Sequence, residues 1–183
     1  MARSLCVAKE GTKRLVEADD VGVVAGEENA AVGAGIIVDG QLYGGRLGMA
    51  AQALGIAQGA FEEAVKYAKE RKQFGQPIAK FQGISFMLAD MATEIEAARQ
   101  LIYSTAVRKD ADDPESSKLC AMCKLFAGEM CNRVAAKAVQ IHGGYGYIKE
   151  YKVERFYRDA RIATIYEGTS QVQQMVISGS VLK

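Results

Sequence analysis

The chain has 183 residues, a formal net charge of +1 and 49% apolar residues. That length allows one domain with a sizeable core, or one domain with a short appendage. A charge near zero argues against a protein that binds nucleic acid or a membrane surface mainly by electrostatics. The single histidine, His142, excludes most multi-histidine metal sites. No run of apolar residues is long enough to span a membrane, and the first residues lack the apolar core of a secretion signal.

Residues 1–40 differ in composition from the rest of the chain. Of the 19 glycines, 11 lie in the first 60 residues, where they separate short β-branched runs at 21–24 and 36–38. This pattern predicts loops with fragments of strand, and the segment is too short to close a sheet of its own. We expect a poorly structured lead-in over 1–40, followed by the main domain at 41–183.

From about residue 41 the apolar residues recur at spacings of three or four, which predicts amphipathic helices. Gly75 and Pro77 interrupt this pattern once, and a polar loop at 109–114 interrupts it again. Pro114 suits the first turn of the helix that follows the loop. Three long helices are therefore predicted, at about 41–72, 78–109 and 114–142.

The third helix should stop at the glycine run 143–146, because glycine accepts the backbone angles that end a helix. Two shorter helices are predicted, at about 151–160 and 169–181, with Thr169 or Ser170 as the N-cap of the last one. Three long helices with short links and a shorter final pair form an antiparallel bundle. The predicted fold class is all-α, a bundle of the four-helix type.

The four cysteines are predicted to be reduced thiols, since a chain of this length does not need disulfides to fold. Cys120 and Cys123 have C-x-x-C spacing, but they lie within an apolar helical pattern and no second ligand pair accompanies them. This favours packing over a redox or metal role for the pair. Cys6 and Cys131 are the other two.

Glu167 is the residue most suited to chemistry. It precedes the last helix, between Tyr166 and Gly168, after an apolar approach. On periodicity alone, a role in the first helical turn or as a cap is the ordinary explanation. If the loop is buried, the carboxylate loses water and becomes a competent general base. Thr169, Ser170 and the amides at the helix start could then hold a phosphate or hydroxyl of a ligand.

Two further segments allow both a structural and a ligand-binding interpretation. The segment 70–75 is either a basic helix end, or a phosphate-binding Arg71 with an aromatic Phe74 offered to a flat ligand. The glycine run 143–146 follows a helix and lacks dinucleotide-binding spacing, which favours a helix stop. Its amides could also approach a phosphate or a ring. His142 beside it is expected to cap the helix or neighbour a cofactor, and not to transfer protons.

Several short motifs occur along the chain in a fixed order. They are GGR (44–46), ALGIAQG (53–59), ERKQFG (70–75), FQ (81–82), LADM (88–91), QIHGGYG (140–146), RDAR (158–161) and IYEGTS (165–170). As an ordered set they resemble the C-terminal helical domain of the acyl-CoA dehydrogenases, most closely the short-chain or butyryl-CoA type. The resemblance covers about residues 41–183.

The resemblance implies an FAD enzyme that forms a trans-2,3 double bond in a short-to-medium acyl-CoA thioester. In this family a carboxylate removes the α-proton, and the β-hydrogen leaves as hydride to the flavin. Glu167 matches the family's base, and its backbone N–H matches the donor that stabilises the enolate oxygen together with a flavin ribityl hydroxyl. Some relatives carry the base at the position of Gly45, which has no carboxylate here, so Glu167 is favoured.

The resemblance also implies binding residues and partners. Positions that meet the FAD of a neighbouring subunit are matched by Arg71, Phe74, Gln82, Gln140, Gly143 and Gly144. Contacts to FAD within the same subunit are matched by Thr169 and Gln171. Residues near the substrate are matched by Arg46, Tyr166 and Gly168. We therefore expect a homo-oligomer, a dimer or tetramer, that passes electrons to an electron-transferring flavoprotein. The expected location is the cytoplasm, or the mitochondrial matrix in a eukaryote.

Three features depart from the family pattern. Tyr43 stands where the family usually has Asp, and His142 where it usually has Leu or Phe. The family places a helical domain and a β-barrel before these helices, and of those the residues at 26–29 are at most a remnant. The chain therefore resembles a C-terminal fragment or a truncated gene product. The alternative function is a non-catalytic helical assembly module derived from the family.

Overall fold

The computed structural model describes the backbone of residues 3–5, 15–17 and 42–183, with side chains from residue 45 onward. The chain divides into two compact units, Met1–Ile37 and Val38–Lys183. The runs at 21–24 and 36–38, Cys6, the segment 26–29 and the side chain of Tyr43 lie outside the described part. The domain boundary predicted between residues 40 and 41 remains a prediction.

In the first unit, two short strands form an antiparallel pair. They are β1 (Arg3–Leu5) and β2 (Leu15–Glu17), and Ser4 lies opposite Val16. The described part of this unit consists of these two strands.

The second unit is helical and agrees with the predicted all-α bundle. Its α-helices are α1 (Leu42–Glu70), α2 (Gln82–Asp110), α3 (Ser116–His142), α4 (Val153–Ile162) and α5 (Ser170–Val181). Thr169 is the N-cap of α5, as predicted, because its side chain accepts a hydrogen bond from the N–H of Val172. No helix of the described residues is long and apolar enough to cross a membrane.

The placement of Pro114 in the first turn of α3 was wrong. The helix begins at Ser116, and Pro114 lies in the turn before it. Asp113 sets this start, since its carboxylate accepts from the N–H of Glu115 at 2.8 Å and its carbonyl accepts from the N–H of Ser116 at 2.9 Å.

A hairpin and a single 3₁₀ turn connect α1 to α2. Strands β3 (Lys72–Gln73) and β4 (Gln76–Pro77) pair antiparallel, and the 3₁₀ turn covers Ile78–Lys80. The helix break predicted at Gly75 and Pro77 is confirmed. The second long helix starts later than expected, because Phe81 is extended and separates the 3₁₀ turn from α2.

The long helices run up, down and up. Tyr67 near the end of α1 stacks on His142 at the end of α3, with ring centroids 4.2 Å apart, so these two helices are parallel. Lys137 near the end of α3 reaches Asp90 near the start of α2, so α2 is antiparallel to α3. The short helices α4 and α5 both pack on α3. The central helix of the bundle is therefore α3, since α1, α2, α4 and α5 all pack against it.

Small side chains bring α1 and α3 together. The fully or almost fully buried alanines of α1 are Ala50, Ala53, Ala57, Ala60, Ala64 and Ala68. A close approach of a backbone to a glycine occurs on α3. A Cβ at Gly128 would lie 2.8 Å from the carbonyl oxygen of Ala163, whereas Gly59 of α1 faces the ring of Phe156.

The cysteines described in the structure are packing residues, as predicted. Cys120, Cys123 and Cys131 are free thiols and are all buried. Burial raises the pKa of Cys123 to about 11 and that of Cys131 to about 12. Such thiols are protonated at neutral pH and therefore unreactive. Among the described residues, no cluster of His, Cys, Asp and Glu could hold a metal ion.

Candidate active site

Glu167 lies in the connection between α4 and α5, residues 163–169, and its backbone is strained. Its φ is +53°, a left-handed value that a side chain disfavours, and Gly168 follows with φ of +89°. Left-handed non-glycine residues cost about 1–3 kcal/mol and persist only where the surroundings hold them. The residues around Glu167 must therefore hold it in this conformation.

The Glu167 carboxylate points at the first turns of α1. Its Oε2 lies 3.1 Å from the place where a Cβ at Gly45 would be. A side chain at position 45 would therefore compete with the carboxylate for the same space. In the family that the sequence resembles, the base stands at position 45 or at position 167. In this structure these two positions lie next to each other.

Two buried side chains hold the carbonyl groups of this connection. Lys124 of α3 donates from Nζ to the Gly168 carbonyl at 2.6 Å. Gln173 of α5 donates from Nε2 to the same carbonyl at 3.0 Å and to that of Glu167 at 3.3 Å. Lys124 is 2% exposed and Gln173 is 0% exposed. We call these two residues, with the carbonyls they hold, the carbonyl clamp.

The N–H groups of the same segment are not engaged. In residues 45–183, no protein atom accepts a hydrogen bond from the N–H of Glu167, Gly168 or Thr169, whereas Ser170 N–H donates to the Thr164 carbonyl. Consecutive uncommitted amides at a helix start are suited to an anion or a polarised oxygen. The connection therefore presents a carboxylate together with hydrogen-bond donors.

The predicted substrate-side residues lie at this same end of the bundle. Arg46 is buried on the first turns of α1, and its charge acts on Lys124. Tyr166 donates from its hydroxyl to Gln52 Oε1 at 2.6 Å, which links the connection to α1. Burial, and then the nearby Cys131 and Glu167, raise the pKa of Tyr166, so its hydroxyl stays protonated. The structure thus brings together the predicted Arg46, Tyr166, Glu167, Gly168 and Thr169.

Gln171 is the exception at this end. It lies in the first turn of α5 and is exposed. We call this end of the bundle, from Gly45 and Arg46 to Gln173, the α5 end.

Four of the predicted cofactor residues meet at the opposite end of α1 and α3. Arg71, Gln140, Gly143 and Gly144 line one open cavity of about 580 Å³. The guanidinium of Arg71 lies 5.4 Å from the ring centre of Tyr145. Nothing lies within 4 Å of a Cβ placed at either glycine, so a ligand can reach their backbone. We call this region the glycine-turn end, after the 3₁₀ turn Gly143–Tyr147.

Phe74 and Gln82 do not line that cavity. Phe74 protrudes from the β3–β4 hairpin, 93% exposed, with a left-handed φ of +51°. Its ring lies perpendicular to that of Phe81, with centroids 6.1 Å apart. Gln82 is exposed at the start of α2. An exposed aromatic ring on a strained turn has no packing function in the chain, which fits a role towards another molecule.

His142 is a packing residue between these elements. Its Nδ1 donates to the Ala138 carbonyl at 2.8 Å, and its ring stacks on Tyr67 and meets Tyr151 edge-on. Burial lowers the pKa of His142, although Glu63 and the Ala138 carbonyl act in the opposite direction. The imidazole is therefore mainly neutral at pH 7, and its Nδ1–H is used by the Ala138 carbonyl.

The two ends are far apart on one chain. Arg46 and Arg71 are 25 residues apart along α1, which is about 37 Å at 1.5 Å per residue. One bound molecule cannot make close contacts with both ends over that distance unless it is very extended. The predicted cofactor residues at the two ends are therefore too far apart to contact one compact ligand.

Sequence reasoning missed Lys124, Gln173 and Gln52. A signal existed for Lys124, because it continues a buried stripe with Cys120, Ala127 and Cys131 at spacings of three and four. A lysine in such a stripe is rare and asks for a partner. The other two lie in ordinary polar positions, and no pattern in the sequence distinguishes them.

Comparisons with known proteins agree on one family. A family model described as the C-terminal domain of acyl-CoA dehydrogenase matches residues 33–182, which begins before the residue 41 expected from the motifs. The CarC subunit of the caffeyl-CoA reductase–Etf complex of Acetobacterium woodii is 66% identical over 139 residues. A short-chain specific acyl-CoA dehydrogenase of Clostridium acetobutylicum is 56% identical over 142 residues.

A solved structure gives the same result for the fold. Butyryl-CoA dehydrogenase from Megasphaera elsdenii matches with a TM-score of 0.76 and 54% sequence identity. The matches cover 76% of this chain for the CarC subunit and 78% for the other two proteins. They cover 36% of the CarC subunit and 37% of the other two. The chain therefore spans little more than a third of these relatives.

Proposed function

Because this chain belongs to the acyl-CoA dehydrogenase family, through that family's C-terminal domain, we propose that it carries the catalytic base of an FAD-dependent acyl-CoA dehydrogenase. The reaction is the α,β-dehydrogenation of a short-to-medium acyl-CoA thioester, and Glu167 is the base. The observation that carries the proposal is the strained Glu167, whose carboxylate is aimed at Gly45 beside uncommitted amides. The non-catalytic assembly module is not favoured, because the relatives carry the names of dehydrogenases and a reductase.

The residues of the α5 end carry out the first half of the reaction, the removal of the α-proton. Glu167 accepts the α-proton on its carboxylate. The negative charge that develops on the thioester oxygen is stabilised by a backbone donor, the N–H of Glu167, in the manner of an oxyanion hole. Arg46, Tyr166 and Gly168 line the substrate side. Gly45 leaves the space that the carboxylate occupies.

The residues present fit FAD on chemical grounds. An exposed aromatic ring at Phe74, a guanidinium at Arg71 and an accessible backbone at Gly143 and Gly144 suit a flat ring and a pyrophosphate. Gln82 and Gln140 add hydrogen-bonding groups at the glycine-turn end. The chemistry that FAD supplies when bound is acceptance of the β-hydrogen as hydride.

Thr169 and Gln171 would contact the FAD of their own chain. The glycine-turn end would contact the FAD bound by a neighbouring copy of the chain. The separation of about 37 Å between the two ends supports this division. It makes the functional protein at least a dimer, and a tetramer is the larger candidate. An electron-transferring flavoprotein is the proposed electron acceptor, in the cytoplasm or the mitochondrial matrix. The name of the A. woodii relative, a subunit of an Etf complex, supports that partner.

The test is a Glu167→Gln variant of the full chain, assayed with FAD and butyryl-CoA. Loss of a general base lowers turnover by about 10²- to 10⁴-fold, and the flavin absorption band should persist because the glycine-turn end is untouched. Glu150→Gln is the control, since Glu150 is exposed in a turn away from the α5 end. Turnover of Glu167→Gln equal to that of the parent would refute Glu167 as the base.

A further inference from the structure

Lys124 is a charged residue in a buried environment, where lysine is rarely found without a partner. It lies in the middle of α3 on the face that packs inward, and it is among the largest wholly buried side chains of the described residues. Taking an ammonium group out of water costs several kcal/mol in real proteins unless partners compensate. The partners of Lys124 therefore show what the buried charge does.

Those partners belong to the α4–α5 connection and its surroundings. The hydrogen bond that Nζ makes goes to the Gly168 carbonyl. Burial lowers the pKa of Lys124, while the negative charges of Glu129 and Glu167 favour its charged form and Arg46 disfavours it. Glu129, on the same helix, accepts a hydrogen bond from Ser170 Oγ at 2.7 Å. One charged residue of α3 thus holds the connection just before α5, and another holds the first residue of α5.

The carbonyl clamp fixes the direction in which the N–H groups of Gly168 and Thr169 point. A trans peptide group is planar, and its C=O and N–H point in opposite directions. No cis peptide occurs in the described residues. With the Gly168 carbonyl held by Lys124 and the Glu167 carbonyl held by Gln173, the N–H groups of Thr169 and Gly168 point away from the clamp. An ammonium at the carbonyl also polarises the peptide, which strengthens its N–H as a donor.

The clamp also explains why Glu167 keeps an unfavourable backbone conformation. Its φ of +53° places it in a region that the surroundings have to enforce. Gln173 contributes less to this, because its bonds to the two carbonyls, at 3.3 and 3.0 Å, are longer and uncharged. The bond from Lys124 is shorter, at 2.6 Å, and charge-assisted. Charge-assisted bonds are roughly twice as strong as neutral ones.

We propose that Lys124 is a positioning residue for the base: by holding the Gly168 carbonyl, its ammonium keeps the Glu167 carboxylate over Gly45 and keeps the adjacent amides facing the substrate. This inference rests on the proposed function of Glu167. Lys124 itself touches neither the substrate nor the cofactor, and it acts through the backbone of the connection.

The experiment compares Lys124→Met with Lys137→Met in the full chain with FAD. Methionine keeps the length of the side chain and removes the donor. Lys137 is a matched control, because it lies on the same helix, pairs with Asp90 and Glu94, and has no contact with the connection. We expect kcat for butyryl-CoA to fall about 10- to 100-fold in Lys124→Met, since small misplacements of reacting groups have effects of that order. KM should stay within about twofold, and Lys137→Met should keep the parent kcat.

A crystal structure of Lys124→Met gives a readout that does not depend on turnover. The expected result is a rotated Gly168 carbonyl and a Glu167 carboxylate that has left its place near Gly45. An unchanged connection, or a fall in kcat no greater than in Lys137→Met, overturns the proposal. If the parent chain itself shows no turnover, the proposed function fails, and the crystal structure alone decides the role of Lys124.

Lys124→Gln keeps the test valid if Lys124→Met does not fold. It retains a neutral donor on a shorter side chain, so kcat should lie between that of the parent and a tenfold loss. A Lys124→Gln protein with parent kcat and a displaced carbonyl would overturn the proposal, because the carbonyl position would then be irrelevant to turnover.

Discussion

The α5 end and the glycine-turn end lie at opposite ends of the same two helices, α1 and α3, yet they are built differently. At the α5 end, buried polar side chains hold a strained backbone in place, and the key carboxylate is half-buried. At the glycine-turn end, the cavity is open, its glycines face empty space and Phe74 protrudes into solvent. The α5 end is preorganised for chemistry, whereas the glycine-turn end is a surface that another molecule completes.

The largest expected effect on the free energy of unfolding is at the glycine-turn end, where a buried glycine and an exposed glycine can be compared. Gly146 is its buried anchor, and a Cβ there would lie 2.6 Å from the Val139 carbonyl and 2.9 Å from His142 Cβ. We expect Gly146→Ala to lower the free energy of unfolding by about 1–3 kcal/mol, since overpacking has that cost. Gly144→Ala, which meets nothing within 4 Å, should change it by less than about 0.5 kcal/mol. Chemical denaturation of both variants measures the difference, and equal values would contradict the distinction between anchor and open surface.

The next effect tests the helix start at the α5 end. Thr169→Ala removes the side chain that caps α5 at Val172 and should lower the free energy of unfolding by about 1 kcal/mol. Thr169→Ser keeps the hydroxyl and should retain most of that stability. If thermal unfolding shows the two variants to be equally destabilised, the hydroxyl is not the stabilising group.

A smaller effect concerns pH at the glycine-turn end. Burial lowers the folded-state pKa of His142 below the unfolded value, which is about 6.5. As pH falls below that value, the unfolded chain binds a proton before the folded chain does. Stability that is present above pH 6.5 is therefore lost as pH falls through the folded-state pKa. His142→Phe should flatten this part of the curve of unfolding free energy against pH, and an unchanged curve would show that the histidine does not contribute to it.

The smallest effect on stability is expected at Phe74. Its substitution should instead weaken the binding of FAD. Because its ring is 93% exposed, Phe74→Ala should change the free energy of unfolding by less than about 0.5 kcal/mol. Loss of an aromatic contact should raise the FAD dissociation constant about 2- to 10-fold. Phe86→Ala is the control, since Phe86 is also exposed but lies on α2 away from the cavity. Flavin fluorescence titration gives both constants, and equal values would remove Phe74 from the binding surface.

Much of the bundle was predictable because its determinants are local. Apolar spacing marked the long helices, Gly75 and Pro77 marked the break after α1, and Thr169 marked the start of α5. The misplaced Pro114 shows the limit of such signals: a residue suited to a first helical turn does not fix where the helix begins, and α3 begins two residues later, at Ser116.

The candidate site was predictable in part, for a different reason. Its residue types came from a motif set that resembles one family, and the family is confirmed. The roles of Glu167, Arg71 and Phe74 remain predictions that the variants above test. The carbonyl clamp was missed because its two side chains lie on different helices, outside every motif.

The sequence by itself determined the helices, the thiol packing and the family, because helix periodicity, caps and ordered motifs are properties of neighbouring residues. Only the tertiary structure decided where the Glu167 carboxylate points, what holds it and how far apart the two ends lie. The contacts responsible join residues distant in the chain: 44 positions separate Lys124 from Gly168, and 114 separate Gln52 from Tyr166. Such pairs meet only after α1, α3 and the final connection have packed, so no local pattern encodes them.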